Sequence, residues 1–201
     1  MKKSTIILLA VLGVILLIAF SVVSWGVSTY NSFVTLDQGV KSQWSQVENQ
    51  YQRRMDLIPN LVETVKGYAT HESSTFEEVA NARASAGKIV LTPEILKDPQ
   101  MFAKFEQAQT GLSSALTHLM AVAENYPQLK ANENFLQLQA QLEGTENRIA
   151  TERRRFNEVV QDYNTRIRVF PSSIIAGMNG FGEKSYFQAE AGADVAPKVK
   201  F

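Results

Sequence analysis

From Val40 to Tyr68 the apolar residues recur at alternating spacings of three and four, the period of a helix packed along a seam. Trp44, Tyr51, Ile58 and Val65 fall on one line of that seam, and Val40, Val47, Leu61 and Tyr68 on the next. Arg54 sits on the second line, where an apolar residue is expected. A guanidinium keeps its charge in a protein, so a buried Arg54 must meet a carboxylate or a polar cavity. The segment reads either as a device that sets helix register or as a site.

The same period continues along the chain, with no alternating strand pattern and no internal repeat. A first soluble helix is predicted from about Tyr30 to Tyr68 or Ala69, running on from the segment before it. Pro59 lies inside it and removes one backbone bond, which predicts a kink or loosening near Met55. Ser74 and Glu77 have capping-box spacing and open a second helix that runs through Ala86. Residues Leu91 to Glu94 form a break. Asp98 then reads as an N-cap, with Pro99 at the first helical position. The third helix is marked by Phe102, Phe105, Leu112, Leu116, Leu119 and Tyr126, and Pro127 ends it or begins a tight connection. A fourth runs from about Asn132 to Phe170, with Phe135, Leu142, Ile149, Phe156, Tyr163 and Phe170 on one line. Leu138, Val159 and Glu152 share its companion line, and Pro171 stops it.

The first and fourth helices are nearly matched, at about 55–60 Å each for 1.5 Å per residue. Short connections make sequential helices antiparallel, so the chain goes away, back, away and back. Matching heights from the two ends brings Arg53 and Arg54 level with Glu143 to Glu152. Arg54 is therefore expected to pair with Glu146 or Glu152, and Arg53 and Asp56 are counted with them as structural ion-pair residues. Loss of Arg54 alone should strand a buried carboxylate, at roughly 3–5 kcal/mol.

Before this bundle lies an apolar run from Ile6 to Val23, and no charge appears until after Leu36. That is long enough to cross a roughly 30 Å hydrocarbon core, which takes about 20 helical residues. Lys2, Lys3, Trp25 and Tyr30 lie where a membrane interface is expected, the aromatic pair as an interfacial belt. A signal peptide is the rival reading, with Ala19 to Ser21 as a loose cleavage site. The apolar run is too long for that and continues past Ser21, which favours an uncleaved anchor. Two lysines precede the span and the first basic residue after it is Lys41. The positive-inside rule then puts the N-terminus in the cytoplasm and the bundle in a periplasm or outside the cell.

Composition removes several function classes. Across 201 residues the basic and acidic residues balance at 20 each, which leaves no electrostatic footprint for nucleic acid. Cysteine is absent, so there is no disulfide, thiol nucleophile or thiolate metal site. His71 and His118 are the two histidines. His71-Glu72 opens like a zinc-protease helix, but position 75 is Thr and the HExxH motif fails. The segment Gly177 to Gly182 lacks the order and the preceding strand of a dinucleotide loop. Glu77 with Glu78, or Glu143 with Glu146, could be drawn as acid/base or metal pairs, yet bundle di-metal sites need Glu-x-x-His, which this chain lacks. Arg153, Arg154 and Arg155 point around the helix and read as a solvated face with local salt bridges. No catalytic, cofactor or metal residue is assigned. The segment from Ile174 to Phe187 is too apolar for a free linker. Ile174, Ile175, Met178, Phe181, Tyr186 and Phe187 would cover the base of the bundle, lie on the membrane, or dock to another subunit.

Three blocks carry a family resemblance: WSQVENQYQRRMDLIPNLVETVKGYATHE (Trp44 to Glu72), YPQLKANENFLQLQAQLEGTENRIATERRRFNEVVQDYN (Tyr126 to Asn164), and FPSSIIAGMNGF with the terminal PKVKF. Together they resemble the LemA family. The resemblance implies one N-terminal transmembrane helix followed by a mostly helical bundle, and it implies no catalytic activity.

The expected fold is all-α, an N-terminal transmembrane helix continuing into an antiparallel bundle of about four helices, two of them long. Residues 1–29 are the anchor, 30–187 the bundle and 188–201 a tail. The expected role is a non-catalytic interaction or scaffolding protein of the bacterial cell envelope, held in the cytoplasmic (inner) membrane, with the lipid bilayer as one partner. Self-association into a homo-oligomer or an unidentified membrane-protein partner would complete it, and nucleic acid would not. The alternative is a regulatory partner of another membrane machine, such as a protease or sensor. An enzyme ranks last.

Overall fold

A computed structural model describes residues 3–89 and 92–188. Its helices are α1 (Lys3–Lys66), α2 (Ser73–Gly87), α3 (Pro99–Ala123), α4 (Pro127–Lys130), α5 (Glu133–Arg168) and α6 (Ser172–Met178), with a 3-10 turn at Pro93–Lys97. The fold is helical with no strand among the described residues, and α1 and α5 are the two long helices. Two short helices, α4 and α6, add to the four expected. The packing divides the chain into two compact units. One holds α1 up to Val40 and Val159–Glu183; the other holds Lys41–Glu158 and, of the described residues after that, 184–188. The division falls within α1 and within α5. Leu91, Lys2 and the tail from 189 to 201, PKVKF included, lie outside the described residues.

In the larger unit, Trp44, Val47, Ile58, Leu61 and Val65 of α1 are buried with Phe105, Leu112 and Leu119 of α3 and Phe135, Ile149 and Phe156 of α5. Contacts set the directions. Trp44 meets Phe156 of α5 at 5.5 Å, whereas Tyr68, just past α1, accepts a hydrogen bond from Asn132, just before α5. The two helices are therefore antiparallel. Trp44 also meets Phe105 at 5.7 Å and Arg54 reaches Ser113, so α3 runs parallel to α1. Lys66 lies over Phe76 and Arg83 reaches Met55, so α2 runs back along α1.

Helix termini explain where the periodic pattern misleads. Tyr68 continues the seam in sequence but is 38% exposed, because α1 ends at Lys66 and Ala69 takes the buried place. Phe170 continues the α5 line but is 78% exposed, because α5 ends at Arg168. Asp98 does cap α3, accepting from the backbone N–H groups of Gln100 and Met101. The capping box at Ser74 does not form. The N-cap falls two residues earlier, at Glu72, and the Glu72 carboxylate accepts instead from the Tyr126 hydroxyl. Helix α1 carries on through Pro59. A proline takes the partner from the carbonyl four residues back, and that carbonyl, Met55 O, accepts from Arg83 Nε at 3.3 Å.

In the smaller unit, α6 packs beside α1. A Cβ added at Gly26 would meet Ile175 Cδ1 at 3.8 Å, so the glycine admits close approach. Ser172 Oγ donates to the carbonyls of Arg166, in the last turn of α5, and of Val169, just past its end. Gly180 has φ +70°, and Phe181 N–H bonds back to Ala176 O at 3.1 Å, the Schellman arrangement that ends a helix. That reversal places the Phe181 ring against Tyr30 at 5.7 Å and Phe33 at 5.2 Å. Farther toward the N-terminus the side chains of α1 face outward: Leu8 is 69% and Phe20 72% exposed.

Candidate functional site

Arg54 is the one arginine among the buried described residues, at 2% exposure. Its Nη1 donates to both oxygens of Glu146, at 3.0 and 3.1 Å, and to Ser113 Oγ at 2.9 Å. Its Nη2 donates to Gln109 Oε1, and the guanidinium carbon lies 5.1 Å from the Tyr51 ring centroid. Nε makes no hydrogen bond with a described group. Three helices are thus tied through one side chain: α1 supplies Arg54, α3 supplies Gln109 and Ser113, and α5 supplies Glu146. The pair is asymmetric, since the Glu146 side chain is 40% exposed. Burial raises the Tyr51 hydroxyl pKa, against the pull of the Arg153 and Arg54 charges.

Other members of the sequence-derived ion-pair set go elsewhere. Glu152 accepts from Gln43 at 2.7 Å and from Arg155 at 2.8 Å, not from Arg54. Six residues separate it from Glu146, a rise of about 9 Å along α5 and too far for one guanidinium to reach both. Asp56 is exposed and accepts from Gln52, four residues back on the same face. Arg53 is exposed on the outer face of α1, and no ion pair of its own is seen among the described residues.

Phe187 is a correction to the apolar surface expected from Ile174 to Phe187. It is 5% exposed, stacked on Trp44 at 6.1 Å and packed on Phe102 at 5.0 Å and Phe156 at 5.4 Å. An extended strap carries it there. Asn157 bonds both the N–H and the carbonyl of Phe187, and Ser185 N–H bonds Leu96 O. At the next residue, Gln188 N–H and Arg153 Nη2 both donate to Glu106 Oε1. Burial raises the Glu106 carboxyl above its ordinary pKa, with the Gln188 N–H and the Arg153 charge pulling the other way. Nothing in the local periodicity announces Arg153 as a half-buried strap partner, because it sits in a run of three arginines. Arg154 and Arg155 do pair locally, with Glu158 and Glu152.

Two open cavities of about 570 Å³ each flank the Arg54–Glu146 pair. One lies between α3 and α5, lined by Leu116, Thr117, Met120, Gln139, Leu142 and Asn147. The other is lined by Tyr51, Arg54, Glu106, Gln109, Ile149 and Arg153. Both mix apolar, amide, hydroxyl and carboxylate groups. Among the described residues no group of three or more His, Asp or Glu side chains could hold a metal ion. His118 Nδ1 is 2.8 Å from Glu78 Oε2 on the surface, and His71 is exposed. Glu143 is exposed and accepts from Gln139, and Glu77 is exposed as well.

In the smaller unit the remaining apolar candidates separate. Ile175 and Phe181 are partly covered by α1, while Ile174 is 52% and Met178 78% exposed. Phe170, also outward, joins them, and Tyr186 is exposed in the larger unit. Of the four interface candidates, Trp25 and Tyr30 are each about two-fifths exposed; Lys2 lies outside the described residues, and Lys3 has no described side chain. Helix α1 is long and apolar enough over its N-terminal part to cross a membrane, with those side chains turned outward.

Comparison with known proteins finds related sequences over most of the chain. Magnetosome protein MamQ 2 and Magnetosome protein MamQ 1 of Paramagnetospirillum magneticum are each 29% identical over 202 residues, covering 92% of this chain and 74% of theirs. Magnetosome protein MamQ of Magnetospirillum gryphiswaldense is 28% identical over 218 residues, covering 99% of this chain and 79% of its own. The LemA family pattern matches residues 43–201, from the first turn of the buried seam onward, and the chain belongs to the LemA family.

Proposed function

We propose that this protein is a single-pass, membrane-anchored, non-catalytic bundle that acts as an interaction or scaffolding component of the bacterial cell envelope. Its N-terminus is cytoplasmic, and the bundle lies on the other side of the cytoplasmic membrane. The observation that carries this reading is the contrast along α1. Leu8, Leu16, Leu17, Phe20 and Val23 are exposed by half or more, whereas Val40, Trp44, Val47, Ile58 and Val65 are wholly buried. A helix with apolar side chains exposed all round is stable in lipid and not in water. The charged groups most open to a catalytic reading, Arg54, Glu146, Glu106 and Arg153, are held in contacts that fix helix register. The relatives named for the magnetosome fit a part in a larger cellular assembly.

Photoreactive amino acids placed at Thr117, Gln139 and Tyr186 of the full chain, in native membranes, test the reading. Crosslinks to copies of the chain or to several envelope proteins support scaffolding. One dominant heterologous protein would favour the regulatory alternative. Absence of protein crosslinks from all three positions would refute a role through protein contacts.

A further inference from the structure

The turn from α5 into α6 places an uncharged, outward-facing apolar line beside α1. Phe170, Ile174 and Met178 are four residues apart in sequence and are 78%, 52% and 78% exposed. Val169 beside them is 49% exposed. No charged residue occurs from Val169 to Gly182, and this segment is bounded by Arg168 and Glu183, which pair with each other at 3.4 Å.

The height of this line along α1 decides what covers it. Ile175 lies against Gly26, and Phe181 lies against Tyr30 and Phe33. If the span begins at Ile6, a 20-residue climb of about 1.5 Å per residue reaches the far edge of a roughly 30 Å hydrocarbon core near Gly26. The next charged residue on α1 is Asp37. A span placed farther along α1 would put Gly26 inside the hydrocarbon. Either placement brings Phe170, Ile174 and Met178 to lipid, at the leaflet boundary or within it. Arg166 and Arg168, both exposed in the last turn of α5, suit the phosphates of that boundary.

We propose that Phe170, Ile174 and Met178 form a second membrane contact, inserted at the leaflet boundary where α1 leaves the bilayer. The proposal rests on the anchor reading of α1. A second point of insertion resists rotation and sliding of the anchor, which a single apolar helix does not.

The chain has no cysteine, so single labels are unambiguous. The full chain is reconstituted in phosphatidylcholine–phosphatidylglycerol vesicles with an environment-sensitive fluorophore on Met178→Cys, Ile174→Cys, Leu12→Cys or Ser114→Cys. Labels at 178 and 174 should emit to the blue and be quenched by lipid-borne nitroxides roughly threefold more than the label at the exposed Ser114. Quenching of 178 and 174 by aqueous iodide but not by lipid nitroxide overturns the proposal. Protection from both quenchers, varying with protein-to-lipid ratio, would assign the line to a second copy and also overturn it. The Leu12 label separates the two readings: lipid quenching there with none at 178 and 174 defeats only the interfacial contact, and none at Leu12 defeats the anchor itself.

Discussion

Replacing Arg54 by Met removes the side chain that joins α1, α3 and α5 in the larger unit, and the structure says which partner suffers. Stranding a fully buried charge would cost about 3–5 kcal/mol. Glu146, however, is 40% exposed, so its carboxylate turns to water when the guanidinium goes. Gln109 is 6% exposed and loses the donor to its amide oxygen. An unsatisfied buried acceptor costs about 1–3 kcal/mol. Met fills most of the aliphatic volume, and Nε, which has no acceptor among the described residues, no longer needs one. The expected loss for Arg54→Met is therefore about 2 kcal/mol, below the figure for a stranded buried carboxylate. Urea unfolding of the detergent-solubilised full chain, followed by Trp fluorescence, measures it. Adding Gln109→Met removes the orphaned acceptor and should restore about 1 kcal/mol or more. If the double variant is as unstable as Arg54→Met or worse, the reasoning that the amide is the stranded partner is wrong.

Other outcomes follow from the same contacts. Phe187→Ala empties a site walled by Trp44, Phe102 and Phe156 and should cost about 3–5 kcal/mol in urea unfolding; a loss under about 1 kcal/mol would mean the strap is not part of the core. Burial, then the Asp37 charge, pushes the Tyr163 hydroxyl up to about 12 from its ordinary 10.0. Its folded pKa is raised, so its contribution is complete below pH 10 and is lost as pH rises through about 12. Tyr163→Phe should lack that alkaline loss in a pH series of thermal midpoints, and an unchanged slope there would contradict it. Pro59→Ala returns an N–H to Met55 O and should stabilise by about 1–2 kcal/mol; a lower midpoint would show that the proline is needed where it stands.

Much of the helical order was legible because the three-four period survives in every long segment. The same period ran past its helices at both long ends, at Tyr68 and at Phe170. Periodicity records which residues share a face and carries no signal for the last hydrogen-bonded turn. Arg54 stood out as a charge on an apolar line, and matching heights along two long helices brought Glu146 level with it. Gln109 and Ser113 could not be found that way, because nothing in the sequence sets the register of α3 against α1. Phe187 was hidden for a different reason. It lies in extended chain held by Asn157, Glu106 and Leu96, distant partners whose spacing leaves no local pattern. Ser74 and Glu77 had the right local spacing, and a long-range bond from Tyr126 to Glu72 prevailed over it.

The proposed role requires α1 to be held in lipid. Alkaline carbonate extraction of native membranes followed by flotation tests that directly, comparing the natural chain with a Leu12→Arg, Leu16→Arg variant. Charges at mid-span oppose insertion by about 2.5–3.5 kcal/mol each. The natural chain should float with the bilayer after extraction and the double variant should be depleted from it. Release of the natural chain into the carbonate supernatant, or flotation of both chains to the same extent, would contradict the account.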